Sequence, residues 1–260
     1  MSQEPLDEVL VDRDGAVLRV TFHRPATLNS LTLPMLVKAG EIVDDAGRDP
    51  AIRAIVITGA GRAFSTGADL GQVRTTPRKT DAIDAANALT MAIRRAPKPV
   101  IAAVNGPAAG VGCSFVLAAD YAVAAESAYF MLAFTGIGLM PDGGATDLLP
   151  AAIGRARALR MALLAERIPA GQALEWGLIA ETAPDAEFPS RVETLTERLA
   201  TGPTLSYAKT KFAINANTLD RLPEAFEIER AGQTRLFDTG DFAEGLDAFQ
   251  HRRPPLFAGA

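Results

Sequence analysis

Hydrophobic residues along the first 150 positions form short apolar runs that alternate with segments of helical spacing. The runs at 54–58 and 99–104 predict buried strands, and in 81–95 the residues Ile83, Ala86, Leu89 and Ile93 recur along one side of a helix. Strands are predicted at 16–22, 54–58, 99–104, 121–124 and 129–132, and helices at about 31–47, 81–95 and 113–119. This alternation is typical of a fold built from β/α crossovers.

The pattern changes after about residue 154 and becomes mostly helical. Only 178–181 is a strand candidate in this part of the chain. No Gly/Ser-rich or Pro-rich spacer accompanies the change, so no flexible linker is predicted. The predicted helices lie at 155–165, 171–176, 187–200, 205–215, 223–237 and 242–249.

Composition narrows the class of protein. The 260 residues are 48% hydrophobic and 22% charged, with a net charge of −5, which is ordinary for a globular enzyme and disfavours a nucleic-acid partner. A single cysteine excludes an internal disulfide and favours a reducing compartment, so we expect a cytoplasmic protein. Residues 1–8 do not resemble a signal peptide, and no apolar run predicts a membrane span. Two distant histidines predict no metal site.

Two glycine-containing turns, at 59–69 and 105–112, carry the clearest indication of chemistry. Each follows a predicted buried strand, and the second leads into the short apolar helix predicted from Cys113. Backbone N–H groups from two such turns can converge on a developing oxyanion, and a helix start adds its positive dipole end. A dinucleotide-binding fingerprint is disfavoured because Phe64 stands where the third glycine would be.

Several ordered segments resemble the enoyl-CoA hydratase/isomerase (crotonase) superfamily: 23–31, 55–70, 98–113, 141–145 and 170–178. The resemblance covers nearly the whole chain. It implies an α/β fold, with a right-handed spiral of ββα units over 1–200 and a helical trimerisation region over 201–260. It also implies a homotrimer or a hexamer built as a dimer of trimers.

The same resemblance implies a coenzyme A thioester as substrate and no separate cofactor. The backbone N–H groups of Ala68 and Val111 would face the thioester carbonyl, and each such donor can contribute about 2.7–4 kcal/mol to an enolate-like transition state. The remaining substrate-binding candidates are Arg24, Ala26, Thr66, Gly67, Asp69, Leu70, Gly110, Ser114 and Phe134. Lys209 and Lys211 are candidates for the nucleotide end of coenzyme A, or they belong to a solvated face.

The acid/base residues depart from the family pattern. Ser114 and Phe134 stand where hydratases of this superfamily carry two glutamates, and neither can act as a carboxylate base. Asp142 lies in a Pro-Asp-Gly-Gly turn, where some double-bond isomerases of the superfamily carry an aspartate. One base suffices to move a proton between two carbons, so Asp142 is the catalytic candidate. The alternative is that Asp142 caps a helix starting near Gly143.

Three functions therefore stay open. The first is double-bond isomerisation of an enoyl-CoA by Asp142. The second is hydration of a 2-enoyl-CoA, with water placed by Asp142 and Ser114. The third is acyl-CoA binding without turnover. Ser114 either contacts the ligand or bonds back to its own helix, Asp69 is predicted to fix a local turn, and Cys113 is predicted to be a buried, inert thiol.

Overall fold

The computed structural model describes residues 8–73 and 78–260. Residues 1–7, where no signal peptide is predicted, lie outside these ranges, and so do 75–77 of the segment 75–79, whose polar residues and proline predict a loop. The strands are β1 (Val9–Asp14), β2 (Val17–Phe22), β3 (Ala54–Gly59), β4 (Val100–Val104), β5 (Ala108–Ala109), β6 (Tyr121–Ala125), β7 (Tyr129–Met131), β8 (Ile168–Pro169) and β9 (Glu181–Ala183).

Every predicted helix is confirmed with boundary shifts of a few residues; α2 was not predicted, and α5 corresponds to the helix considered to start near Gly143. They are α1 (Leu33–Arg48), α2 (Leu70–Val73), α3 (Thr80–Arg95), α4 (Val111–Ala118), α5 (Ala145–Ile153), α6 (Arg155–Leu164), α7 (Ala170–Trp176), α8 (Phe188–Thr201), α9 (Thr204–Thr218), α10 (Leu222–Leu236) and α11 (Gly240–Gln250). Within the described ranges, no helix is long and apolar enough to cross a membrane.

Six strands form the main sheet in the order β1-β2-β3-β4-β6-β9. The first pair is antiparallel and the later pairs are parallel. β1 was missed by the hydrophobic pattern because it is an edge strand with five exposed residues out of six. The strand predicted at 178–181 begins three residues later, at Glu181. Leu178 and Ile179 are buried in the core before β9 begins.

The central strands are buried on both faces, which explains their continuous apolar runs. Ile55 and Ile57 of β3 point into the large core together with Met35 of α1 and Leu89 of α3. Their neighbours, such as Val56, point to the opposite face and into a smaller core with residues of α8. This alternation fixes the sheet between two helical layers.

A second sheet of three short strands, β5-β7-β8, lies beside the first. The chain passes from β4 to β5 and then to α4, and from β6 to β7 before reaching α5. An isolated bridge between Ser65 and Ala108 extends the second sheet to the loop after β3. This repeated path from main sheet to small sheet to helix agrees with the predicted α/β architecture.

Candidate active site

The two glycine-containing turns leave neighbouring strands at the same edge of the main sheet. β3 and β4 are parallel, with Thr58 opposite Ala103, so the segments after Gly59 and Val104 emerge side by side. They are tied together by main-chain hydrogen bonds, including those from Phe64 N–H and Ser65 N–H to Pro107 O, each 3.1 Å. The sequence-predicted pair of turns is therefore a single structural unit.

Asn29 and Asn105 fix this unit with their side-chain amides. Asn29 Nδ2 donates to Ala60 O at 2.9 Å and to Ala63 O at 2.7 Å. Asn105 Nδ2 donates to Gly61 O at 2.9 Å. Because the buried Asn29 amide needs partners for its donors, it holds the first turn in one conformation, and the partly exposed Asn105 adds a second tie.

The residues that precede Ala68 and Val111 contact each other where the two turns meet. A Cβ built on Gly67 would stand 3.5 Å from Val111 N and 3.2 Å from Gly110 Cα. Gly67 (φ +91°) and Gly110 (φ +55°) both have left-handed backbone, which a glycine adopts at little cost. Ala68 and Val111, which follow these glycines, therefore belong to the two segments in contact.

Neither amide has a hydrogen-bond partner within the described ranges. Leu31 bonds to the flanking groups instead, donating to Gly67 O at 2.8 Å and accepting from Asp69 N–H at 2.9 Å. Val111 is the first residue of α4, where N–H groups have no partner inside the helix. Two backbone donors without a partner therefore lie on neighbouring segments, and one of them is at the start of a helix.

The turn that carries Asp142 packs directly on the start of α4. A Cβ on Gly143 would lie 2.9 Å from Val111 Cγ2 and 3.1 Å from Ser114 Cβ. Ser114 Oγ donates to Asp142 O at 2.8 Å, and Thr90 Oγ1 donates to Gly143 O at 2.9 Å. The interpretation that Ser114 bonds back to its own helix is wrong, because its hydroxyl is used to hold the Asp142 turn.

The Asp142 carboxyl is buried, with 8% of the residue exposed. Burial raises its pKa to about 7, because an apolar surrounding disfavours the charged form. Gln233 Nε2 donates to Asp142 Oδ2 at 2.8 Å, which lowers the pKa, and the nearby charge of Glu229 raises it. A carboxyl of this kind can take up and release a proton near neutral pH.

Glu229 corrects the interpretation of Asp142 as a helix cap. The N-cap residue of α5 is Gly144, which has no capping side chain. The buried carboxylate of Glu229 accepts from Gly144 N–H at 2.8 Å, Thr146 N–H at 2.8 Å and Thr146 Oγ1 at 2.7 Å. The first-turn N–H groups of α5 are satisfied from α10, so the Asp142 carboxyl is not needed for capping.

The other substrate-binding candidates lie along the first turn and the segment that precedes α1. Ala26 is in the 3₁₀ turn Pro25–Thr27, Thr66 N–H donates to Leu28 O, and Leu70 begins α2. Asp69 fixes the local turn, since its Oδ1 accepts from Gly71 N–H at 3.0 Å and Gln72 N–H at 3.3 Å.

The Arg24 guanidinium is held by carboxylates on either side of it. It contacts Glu8 Oε1 at 3.0 Å and Asp69 Oδ2 at 2.7 Å, and it donates to Ser30 O at 2.7 Å. Burial alone would raise the pKa of Asp69. The Arg24 guanidinium and the N–H groups of Gly71 and Gln72 keep this pKa below its ordinary value. Arg24 therefore links the segment 23–31 to the first turn.

The remaining candidates are buried side chains. Phe134 is 8% exposed and opens the 3₁₀ turn before the Asp142 segment. Cys113 is buried as expected, and burial raises the pKa of its thiol to about 12. The solvated-face interpretation is wrong for Lys211, whose Nζ is buried against Asp120 Oδ2 at 2.7 Å, whereas Lys209 is exposed.

Glu229 and Gln233 are the two site residues that sequence reasoning missed. Both lie on α10, one turn apart, and follow Leu222 and Phe226 along the same buried stripe. Polar residues at two positions that the helical period assigns to the core were the available signal. Their hydrogen bonds reach 83 to 91 residues back along the chain, which no local pattern reports.

Comparison with known proteins identifies the family. The family model described as Enoyl-CoA hydratase/isomerase matches residues 12–260. A probable enoyl-CoA hydratase of Rhodobacter capsulatus is 42% identical over 92% of this chain and 93% of its own length. The 1,2-epoxyphenylacetyl-CoA isomerase of Escherichia coli K12 is 37% identical over 98% of this chain and 99% of its own.

A solved structure gives the same result. The enoyl-CoA hydratase from Mycobacterium avium subsp. paratuberculosis K-10 superposes with a TM-score of 0.92 at 47% identity, covering 98% of this chain and 100% of that one. The chain therefore belongs to the enoyl-CoA hydratase/isomerase family and is an enzyme of that kind. The relatives are named as hydratases and as isomerases, so family membership leaves the choice of reaction to the site.

Proposed function

We propose that this enzyme shifts a carbon–carbon double bond in an enoyl-CoA thioester. The N–H groups of Ala68 and Val111 bind the thioester oxygen, and Asp142 transfers the proton. The observation that carries the proposal is that the turn with this buried carboxyl, whose pKa is raised to about 7, packs against the helix start at Val111.

The chemistry needs only one proton carrier. With a 3-enoyl-CoA, the Asp142 carboxylate takes a proton from the carbon next to the thioester. The C–H electron pair then moves into a dienolate whose negative charge rests on the thioester oxygen. The protonated Asp142 returns the proton to the carbon two bonds further along, and the double bond is left next to the thioester. Two fixed amides stabilise the oxygen charge as it develops.

The neighbouring acid does not supply a second base. Both Glu229 oxygens accept hydrogen bonds from the first turn of α5, at 2.7–2.8 Å. Ser114 is likewise engaged with Asp142 O. Hydration usually needs one group to activate water and another to protonate carbon, so this arrangement favours isomerisation.

We propose that the substrate binds along the segment 23–31 and the first glycine-containing turn. Arg24, Ala26, Thr66, Gly67, Asp69 and Leu70 would line the approach to the two amides, and Gly110, Ser114 and Phe134 would surround the acyl end. We propose a coenzyme A thioester as substrate, with no further cofactor, since every step above uses groups of the chain or the substrate.

We also propose that residues 201–260 form the trimerisation region and that residues 1–200 form the core. α9 has no buried residue, and Leu205 and Phe212 on it are exposed. Apolar side chains placed in this way are typical of an interface between subunits. A trimer, or a hexamer made from two trimers, is the expected assembly.

The substitution Asp142→Asn tests the catalytic proposal. An amide keeps the shape of the side chain but cannot carry the proton, so kcat for 3-enoyl-CoA isomerisation is expected to fall by about 10²–10⁴-fold. Product analysis distinguishes migration of the double bond from formation of a 3-hydroxyacyl-CoA out of 2-enoyl-CoA.

Three results would contradict the proposal in different ways. Efficient water addition by the parent enzyme would favour the hydratase. Thioester binding without any product, even at high enzyme concentration, would favour a binding protein. An unchanged rate in the Asp142→Asn variant would remove Asp142 from the mechanism.

A further inference from the structure

Gln233 makes the one side-chain hydrogen bond recorded for the Asp142 carboxyl within the described ranges. Its Nε2 donates to Asp142 Oδ2 at 2.8 Å, and the residue is 1% exposed. The other atom of the same amide, Oε1, is buried and has no hydrogen-bond partner among the described residues. A buried acceptor without a partner is uncommon and asks for an explanation.

We infer that Gln233 is a positioning residue that keeps the Asp142 carboxyl in one orientation both before and after it takes the proton. This inference rests on the proposed function, in which Asp142 alternates between carboxylate and carboxylic acid. A carboxylate only accepts hydrogen bonds, whereas the acid form also has an O–H to donate. A primary amide can serve both, because it carries a donor and an acceptor.

The observed contact corresponds to the carboxylate form, in which the amide donates. A half turn about the last side-chain bond of Gln233 exchanges Nε2 with Oε1 and presents the acceptor to the acid O–H. The atom that lacks a partner in one state is thus the atom used in the other. A lysine here would favour the carboxylate alone, and an apolar residue would leave both forms without a partner.

Other groups near Asp142 are already committed. Ser114 Oγ and Thr90 Oγ1 donate to the carbonyls of the turn rather than to the carboxyl. From α10, Glu229 acts on Asp142 through its negative charge while its oxygens bind the start of α5. α3 and α4 contribute neutral hydroxyls, so the Gln233 amide is the group able to follow the proton.

The position of Gln233 is fixed by close packing of α10 on the Asp142 segment. A side chain at Gly232 would collide with Met140 Sδ. A Cβ at Gly144 would stand 2.7 Å from Leu222 Cδ1 and 3.0 Å from Phe226 Cε1. The helix therefore contacts the chain on both sides of Asp142, and the amide cannot move away from the carboxyl without disturbing these contacts.

The substitution Gln233→Met tests the inference, because methionine has a similar length and no hydrogen-bonding amide. Loss of the donor is expected to move the acid limb of the kcat profile to higher pH by about one to two units. We expect kcat near neutral pH to fall by about ten- to a hundredfold, with KM changed less than threefold. Gln233→Glu, which adds a negative charge beside Glu229, is expected to move the limb further in the same direction.

Thr234→Val is the matched control, since Thr234 is the next residue on α10, is exposed and, among the described residues, bonds through its hydroxyl to Arg230 O of its own helix. It should keep the parent pH profile. Infrared difference titration of the Asp142 carboxyl, assigned by its absence from Asp142→Asn, gives the same shift without relying on turnover. Circular dichroism checks that each variant is folded.

The results distinguish a failure of the proposed function from a failure of the role assigned to Gln233. If Asp142→Asn keeps the parent rate, the proposed function fails. If Asp142→Asn is inactive while Gln233→Met keeps both the pH profile and the carboxyl titration of the parent, Gln233 only fills space and the inference alone is overturned. A Gln233→Met variant that loses stability but shows neither shift overturns the inference in the same way.

Discussion

The carboxyl of Asp142 occupies a place where its charge is unfavourable. Burial and the charge of Glu229 raise its pKa, and one hydrogen bond from Gln233 compensates only in part, leaving a value of about 7. The ordinary value is 3.8. A residue held in this way is suited to proton transfer and reduces the stability of the fold when it ionises.

The stability of the parent enzyme should therefore depend on pH at this residue. Between pH 3.8 and about 7 the unfolded chain has lost the Asp142 proton and the folded chain keeps it. The folded state then binds more protons, so the free energy of unfolding falls as pH rises through this window. Asp142→Asn removes the effect, while its amide oxygen still accepts from Gln233.

We expect the Asp142→Asn variant to gain stability over the parent as pH increases. The difference in free energy of unfolding should grow from pH 4 to pH 7, reach on the order of a few kcal/mol and be constant above about pH 8. Urea unfolding of both proteins across this range measures it, and other titrating groups cancel in the difference. A difference that is independent of pH would show that Asp142 has an ordinary pKa.

Individual residues of the site were predictable to the extent that they lie in local motifs. Ala68, Val111 and Asp142 each belong to a short glycine-containing segment whose geometry is set within a few residues. Glu229 and Gln233 act on these segments from a helix more than 80 residues away, so only the fold brings them there.

At the scale of elements, the start of α5 depends on a side chain from another helix. Gly144 is its N-cap and offers no oxygen, and the Glu229 carboxylate from α10 accepts from the N–H groups of Gly144 and Thr146. A negative charge at a helix N-terminus is also favoured by the helix dipole. Since α5 follows Asp142 closely in the chain, this contact also fixes the turn that carries Asp142.

The substitution Glu229→Gln is expected to destabilise the enzyme by about 1–3 kcal/mol, because one amide oxygen cannot replace two carboxylate oxygens and a buried N–H group loses its partner. Losing the negative charge should also lower the pKa of Asp142, so the acid limb of the kcat profile should move to lower pH. This shift is opposite to the one expected for Gln233→Met. Urea unfolding and the pH profile measure the two effects.

Glu224→Gln serves as the control for Glu229→Gln. Glu224 lies in the first turn of the same helix and pairs with Arg221 at the surface, a contact of small energetic value. It should leave both measurements unchanged. Equal destabilisation by the two substitutions would mean that the capping contact contributes nothing beyond the helix itself.

Helices and central strands were predictable because their apolar periodicity follows from burial. α3 has one apolar stripe at helical spacing, and β3 is one continuous apolar run. β1 escaped prediction because an exposed edge strand has little reason to be apolar, and its hydrogen bonds to β2 are what define it. The order of strands in the two sheets is a property of tertiary packing.

At the scale of the whole molecule, α9 is attached less closely than the other long helices. Apart from the Lys211 Nζ that bonds to Asp120 Oδ2, it buries little, and it lines a cavity of about 490 Å³ together with Leu117, Leu148 and Tyr121 of the core. Leu205 and Phe212, seven residues apart and therefore on one face, are 85% and 72% exposed. A chain on its own gains little from such a face, whereas a neighbouring subunit would bury it.

The double substitution Leu205→Ser and Phe212→Ser tests this role of α9. A buried side chain of this size contributes about 1.5–3 kcal/mol, and a closed trimer repeats each contact three times. We expect the parent to sediment as a trimer or hexamer and the double variant to dissociate at micromolar concentration. Analytical ultracentrifugation measures both masses.

Val37→Ser is the control for a general effect of removing exposed apolar surface. Val37 is 44% exposed on α1, within the 1–200 core, and its replacement should leave the assembly intact. If the α9 variant keeps the parent mass, or if the parent is a monomer at every concentration, α9 does not form the interface. In that case each chain must complete the site alone, and the packing of α10 on the Asp142 turn already supplies the contacts for this. The isomerase proposal would then stand without the trimer, because every group assigned to proton transfer comes from one chain.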